Sequence, residues 1–227
     1  MRQKRPDVPP IINANESHMA LVFVLDVSLS MEDGGAIEQL NEGFNRFKEE
    51  VCDDKQTRKI LDVAVIKFND EFEVVQDFVP VEYVEPLELE ADGPTYYTEP
   101  IREAMKMVTE RSHFYREAAG SEPYKPWILF VTDGAPLDDI AEVTHEVRKM
   151  QADGQVRFIA LGVGDYDSKS LHQLTDAVFR MEGKDFTSFF NWVGKSMRVV
   201  SQSSPSDKPA MPPLEGDVSR DTNFLND

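Results

Sequence analysis

The stretch Leu21-Val22-Phe23-Val24-Leu25-Asp26-Val27-Ser28-Leu29-Ser30-Met31 decides how the rest of the chain reads. Five apolar residues run into an aspartate, and two hydroxyls follow at alternate positions. A short continuous apolar run rich in Val and Phe is the pattern of a strand buried on both faces, as in a parallel sheet. In open α/β sheets, ligands sit just beyond the carboxyl ends of such strands. Asp26, Ser28 and Ser30 therefore stand where chemistry is expected. An all-oxygen set with no His or Cys beside it suits a hard cation such as Mg2+, with Mn2+ or Ca2+ as alternatives, rather than Zn2+.

Working outward, Gly34 and Gly35 precede a helix over 36–51, with Ile37, Leu40, Phe44, Phe47 and Val51 on one face. Strands are predicted over 61–68 and 72–79. The Asn69-Asp70 turn between them is short enough to force antiparallel pairing, which puts the third strand at a sheet edge. Residues 80–94 form a long acidic loop, which reads as functional or as a solvated run of carboxylates. A helix over 99–117 follows. Trp127-Ile128-Leu129-Phe130-Val131-Thr132-Asp133-Gly134 then repeats the opening pattern of an apolar strand ending in aspartate. A helix over 138–152, a strand over 156–162, a short helix over 168–175, a weak strand over 177–181 and a helix over 187–199 complete the body. This alternation predicts a doubly wound, mostly parallel six-stranded α/β sheet with one antiparallel edge strand and helices on both faces. Residues 1–17 read as a flexible lead-in, 18–200 as the folded domain, and 201–227 as a disordered tail.

The chain has 227 residues and a formal net charge of -18, from 42 acidic and 24 basic residues. Such an acidic balance opposes general binding to nucleic acid or anionic membrane. Cys52 is the only cysteine, so no intrachain disulfide can form, and no apolar run is long enough to span a membrane. The expected location is the cytoplasm. The tail hydroxyls Ser201, Ser203, Ser204, Ser206, Ser219 and Thr222 belong either to a plain disordered tail or to a phosphorylation target.

Alone, the spacing of Asp26, Ser28 and Ser30 is a weak signal, because such residues also cap helices. Asp133 at the end of a second apolar strand and Thr95 after Gly93-Pro94 make it much stronger. With Val24 to Met31, Gly93 to Thr95, Val131 to Gly134 and Ile159 to Gly164, the sequence resembles the von Willebrand factor A domain family over about residues 19–200. Within it, Tyr124 to Trp127, Thr132 to Asp139 and Phe186 to Trp192 are most similar to the bacterial TerY-type proteins of tellurite-resistance gene clusters.

The resemblance implies a metal-ion-dependent adhesion site (MIDAS). Ser28 and Ser30 would ligate Mg2+ directly, Thr95 directly or through water, and Asp26 and Asp133 through bound waters. A partner protein's Glu or Asp would complete the shell. It further implies a stress-resistance or phosphorylation-linked setting, with kinase-like or phosphatase-like partners from the same gene cluster. Two features depart from the family pattern. Leu29 stands where Gly is common, and Glu32 and Asp33 place two more carboxylates nearby. Thr98 is a second candidate for the role given to Thr95.

The competing reading is a Mg2+-dependent hydrolase or phosphoryl-transfer enzyme using Asp26 and Asp133. Against it, Ser28 occupies the place where aspartate-nucleophile phosphatases carry a second Asp. His18, His113, His145 and His172 are scattered, and no Lys or His adjoins the motifs as a base. Nucleotide binding lacks both G-x-G-x-x-G after the first strand and a Walker lysine. The residues favour a binding module over an enzyme.

Overall fold

The computed structural model describes residues 10–183 and 185–222, with Ala119 described by its backbone only. Strand Met19–Asp26 (β1) is buried along its whole length. Its alternate side chains serve two cores. Leu21, Phe23 and Leu25 join one apolar cluster, and Val22 and Val24 join the other. A strand with a core on both faces has no place for a polar residue until it ends, which is why the run is apolar up to Asp26.

Around β1 the chain builds helices Ala36–Asp53 (α1) and Lys55–Ile60 (α2), then strands Leu61–Phe68 (β2) and Phe72–Pro80 (β3). Helix Thr98–Ala119 (α3) leads to strand Trp127–Thr132 (β4) and helix Ala141–Ala152 (α4). Strand Arg157–Val163 (β5), helix Ser168–Leu174 (α5), strand Val178–Met181 (β6), helix Thr187–Ser201 (α6) and strand Val218–Arg220 (β7) follow. The sheet order is β3-β2-β1-β4-β5-β6-β7. β1 pairs in parallel with both β2 and β4. The chain leaves β1 toward β2 and leaves β4 toward β5, so the loops after β1 and β4 part from each other. That divergence opens the crevice where α/β sheets bind ligands.

α1 and α6 cover one face, and α3, α4 and α5 cover the other. On the first face Phe23 lies 5.2 Å from Phe44, 5.3 Å from Phe47 and 5.8 Å from Phe190 between ring centroids. Such aromatic packing locks α1 to β1 and so fixes the angle at which the intervening loop leaves the strand. No helix among the described residues is long and apolar enough to cross a membrane.

Three expectations change. The sheet has seven strands and two antiparallel edges, since β7 pairs antiparallel with β6. Residues 201–222 are not a disordered tail but a strap across the domain. The Tyr124 hydroxyl donates to the Ser203 carbonyl at 2.6 Å, and Trp192 Nε1 donates to the Pro212 carbonyl at 2.9 Å. Met211 and Leu214 pack on the core and Val218 is buried. A few apolar anchors spaced along an extended Pro-rich segment suffice here, because each meets a preformed surface. Ser201, one of the candidate modification sites, is buried. Residues 223–227 lie outside the described residues, as do residues 1–9 of the expected lead-in; from that lead-in Glu16 contacts the domain, paired to Lys59 at 3.7 Å, and His18, the first residue of the expected domain, is buried.

The acidic loop is also tied down. Val81, Val84, Leu87 and Leu89 are buried, while Glu82, Glu88 and Glu90 are exposed. Asn41 and Asn45 of α1 each both donate to and accept from the loop backbone, at Leu89 and Leu87. This agrees with solvated carboxylates over an apolar underside.

Candidate metal centre

Asp26 ends β1 fully buried. One carboxylate oxygen, Oδ1, accepts the Ser28 backbone N–H at 2.7 Å, folding the chain into a tight turn. The other, Oδ2, accepts the Thr132 hydroxyl at 2.6 Å, across from the end of β4. The Ser28 and Ser30 hydroxyls lie 3.1 Å apart, and Ser30 Oγ donates to Asp133 Oδ1 at 2.6 Å. Four of the five expected residues thus form one linked set spanning the β1 and β4 ends.

The fifth, Thr95, arrives on the loop before α3. That loop is pinned on both sides. The Leu29 N–H donates to the Gly93 carbonyl at 2.9 Å, and the Leu137 N–H donates to the Thr95 carbonyl at 3.0 Å. Gly93 has φ +74°, and a Cβ there would come within 2.9 Å of Asp70 Oδ1, so both conformation and space favour glycine. A Cβ at Gly134 would come within 3.2 Å of Thr95 Oγ1, so the hydroxyl lies against the residue that follows Asp133. Thr98 is used elsewhere. Its N–H donates to Asp138 at 2.8 Å and its hydroxyl to the Asp139 carbonyl at 3.3 Å.

Burial raises the Asp26 carboxyl to about 6, against the opposing effect of the hydrogen bonds from Thr132 and Ser28, with the neighbouring Asp133 charge adding to the rise. A desolvated carboxylate beside a second carboxylate and three hydroxyls is a site that a divalent cation would neutralise. All the donors are oxygen, which fits a hard ion and a water-retaining shell. Among the described residues no group of three or more His, Cys, Asp or Glu side chains is placed to hold a metal. The site depends instead on hydroxyls interleaved with two carboxylates.

Three supporting residues are not among the expected site residues, although Thr132 and Asp138 lie within the motif segments. Thr132 is fully buried and also lies 3.2 Å from the Tyr97 hydroxyl. Tyr97 in turn donates to the Gly134 carbonyl at 2.8 Å, fixing the turn after Asp133. Asp138 accepts the Tyr97 and Thr98 N–H groups at 2.9 and 2.8 Å and so holds the start of α3 from another loop. Although burial raises the Asp138 carboxyl, these hydrogen bonds outweigh it and leave it below its ordinary range. A hydroxyl at the end of a fully buried strand must find a partner, and that is the physical signal for a supporting role at Thr132, which the motif segments contain without giving it one.

Leu29 replaces Gly without backbone strain, because Asn13 alone of the described non-glycine residues has a positive φ. Its side chain is 58% exposed, and Leu137, on the loop after β4, is 67% exposed. Two bare leucines on the loops that carry the oxygens are unusual on a surface this acidic. Glu32 and Asp33 are exposed.

Fold and site together define a doubly wound α/β domain with an oxygen-donor centre at its switch point. The von Willebrand factor type A domain profile matches residues 20–191, and the chain belongs to that family. Among solved structures, the chain is similar to a von Willebrand factor type A protein from Catenulispora acidiphila, with TM-score 0.65 and 16% identity over 81% of this chain and 43% of that one. It is also similar to proximal thread matrix protein 1 from the mussel byssus with a zinc-occupied MIDAS motif, with TM-score 0.54 and 20% identity over 84% of this chain and 46% of that one. The ArnB paralog VWA2 from Sulfolobus acidocaldarius follows at TM-score 0.52 and 15% identity over 80% and 46%. At these identities the likeness is one of fold, and the chain spans less than half the length of each of these structures. No curated protein matches the chain.

Proposed function

We propose that this domain binds another protein through a divalent cation, Mg2+ in the first instance, held by Ser28, Ser30 and Thr95, with Asp26 and Asp133 acting through bound waters. The observation that carries the reading is the hydrogen-bonded set joining Asp26, Ser28, Ser30 and Asp133 with Thr95 beside it. A cation set largely among neutral hydroxyls keeps much of its charge, and a partner's Glu or Asp can complete its shell. The bare Leu29 and Leu137 side chains supply apolar contact around such a bridge.

The zinc-occupied MIDAS of the mussel protein supports a metal at this place in the fold and leaves its identity in this chain to measurement. We place the module in a bacterial tellurite or chemical-stress response, on the strength of the TerY-like segments, with kinase-like and phosphatase-like neighbours as first partner candidates. The hydrolase reading gains nothing. The groups hydrogen-bonded to Asp26 are hydroxyl and backbone N–H, His18 stacks on Tyr115 with 5.2 Å between ring centroids, and His113 pairs with Glu117 at 3.4 Å.

The test is calorimetric titration with Mg2+, Mn2+, Ca2+ and Zn2+, followed by capture of the candidate partners in Mg2+ and in EDTA. Saturable metal binding and capture lost in EDTA are expected. Capture indifferent to EDTA, or no metal binding at millimolar concentrations, would overturn the reading.

A further inference from the structure

Beside Thr95 lies a groove of about 640 Å³ between the β2–β3 turn, the start of α3 and the loop after β4. Phe72, Tyr96 and Pro100 contribute apolar surface to its lining. Phe72 is 38% exposed and Tyr96 36%, so both rings offer area to a visitor. Five acidic residues also line it: Asp70 and Glu71 from the turn, Glu99 from α3, and Asp138 and Asp139 from the loop. Of these, Asp138 is already engaged by the Tyr97 and Thr98 N–H groups, and Asp139 accepts the Ala141 N–H with one oxygen. No lysine or arginine is among the described residues that line it. The nearest guanidinium on α3, Arg102, is held at 2.7 Å by Glu142 and 3.0 Å by Glu146, besides its 3.3 Å contact with Glu99.

We propose that this groove docks an arginine side chain of the partner protein, next to the metal-bridged contact. The proposal rests on the reading of the domain as a protein-binding module and names the chemistry of the partner's second anchor. Aromatic rings with carboxylates in the same groove suit a planar, weakly hydrated guanidinium better than a compact ammonium. The protein already holds one arginine this way. Arg111 meets Asp62 at 2.5 Å and lies over the rings of Phe78, Phe114 and Tyr115 at 5.6, 4.7 and 5.0 Å. The groove displays the same two ingredients, aromatic rings and carboxylates, with no arginine or lysine among its described lining residues and only Glu99 touched by one from outside, Arg102. A net charge of -18 steers a basic segment toward it. Tyr96 directly follows Thr95, so groove and metal centre share one loop, held by the Tyr96 N–H donating to the Asn69 carbonyl at 2.9 Å.

The test uses the full chain and an acetylated, amidated Gly-Ser-Arg-Gly-Ser-Arg-Gly-Ser peptide, followed by NMR in Mg2+ and in EDTA. Lysine and citrulline versions of the peptide serve as comparators. Without a carboxylate this probe cannot bridge the metal, so its binding is expected in both buffers, with shifts centred on Phe72, Tyr96 and Glu99. Tyr96→Ala, and separately Glu99→Gln with Asp139→Asn, should each weaken it about tenfold. The lysine peptide should bind more weakly and the citrulline peptide not at all. Equal binding of arginine and lysine peptides, indifferent to Tyr96→Ala, would mean diffuse charge attraction and would overturn the proposal, as would shifts elsewhere or none. Arginine docking in a protein that takes up no metal would uphold the groove while removing the metal bridge, so the two readings fail separately.

Discussion

Two buried aspartates on neighbouring parallel strands meet opposite fates. Asp62, near the start of β2, is 1% exposed, and Asp26, at the end of β1, is 0% exposed. Asp62 has an internal cation. Arg111 reaches it at 2.5 Å, and the Tyr115 hydroxyl donates to it at 2.5 Å. Asp26 has hydroxyl and N–H donors instead, and the charge that most affects it is another carboxylate, Asp133. Both residues interrupt otherwise apolar strands, yet one is neutralised by the fold and the other is left for something from outside. A buried carboxylate therefore marks a candidate binding site only where the protein has not already supplied its counter-charge.

The contrast can be broken most forcefully at Arg111. Arg111→Met should lower stability by about 3–5 kcal/mol, because removing one member of a buried pair strands the other. Denaturant unfolding reads this, and metal affinity should stay as in the parent. A variant as stable as the parent would mean that Asp62 needs no cation and that the two sites do not differ. Asp26→Asn should behave in the reverse way. Metal affinity should fall roughly 10- to 100-fold, as for other groups that act on a metal through an intermediary. Stability in EDTA at neutral pH should hold or rise, since the desolvated charge is gone while the amide oxygen still accepts the Ser28 N–H. A large loss of stability in EDTA would assign Asp26 a structural role like that of Asp62.

The sequence made Asp26 and Asp133 visible for one physical reason. A strand covered on both faces must be apolar, so a carboxylate at its end stands out against the run before it. Ser28, Ser30 and Thr95 followed from motif spacing, and the structure brings all five residues to one place. The roles of the supporting residues were not legible. Thr132 acts on Asp26 from 106 positions away, and Asp138 holds Tyr97 from 41 away, contacts that only the closed sheet creates. β7 was hidden for a different reason. It has three residues with one buried, Val218, and its alternation is too short to register. Leu29 stands where Gly is common, but its φ is not positive, so the question it poses concerns the surface rather than the turn.

The smallest effect is the one that titrates. The Asp26 carboxyl rises from 3.8 to about 6 in the folded protein, chiefly through burial. The folded state thus holds this proton more tightly than the unfolded one. Its contribution to stability in EDTA is complete below about pH 3.8 and is lost as pH rises through about 6. Asp54, Asp138 and Asp185 are lowered instead, so their contributions disappear as pH falls through their folded values. Subtracting the Asp26→Asn profile removes those common trends. The difference, parent minus variant, should decline from pH 4 to pH 7 in EDTA. With saturating Mg2+ that decline should disappear, because the cation favours the ionised carboxylate and its binding displaces the proton. Metal affinity should accordingly drop by about tenfold per pH unit below 6 and level off above it. Calorimetry in buffers of different ionisation enthalpy counts the protons released. An affinity that stays flat from pH 5 to 7, with no proton released, would show that Asp26 does not respond to the cation, and its burial would then have the same purely structural meaning as that of Asp62.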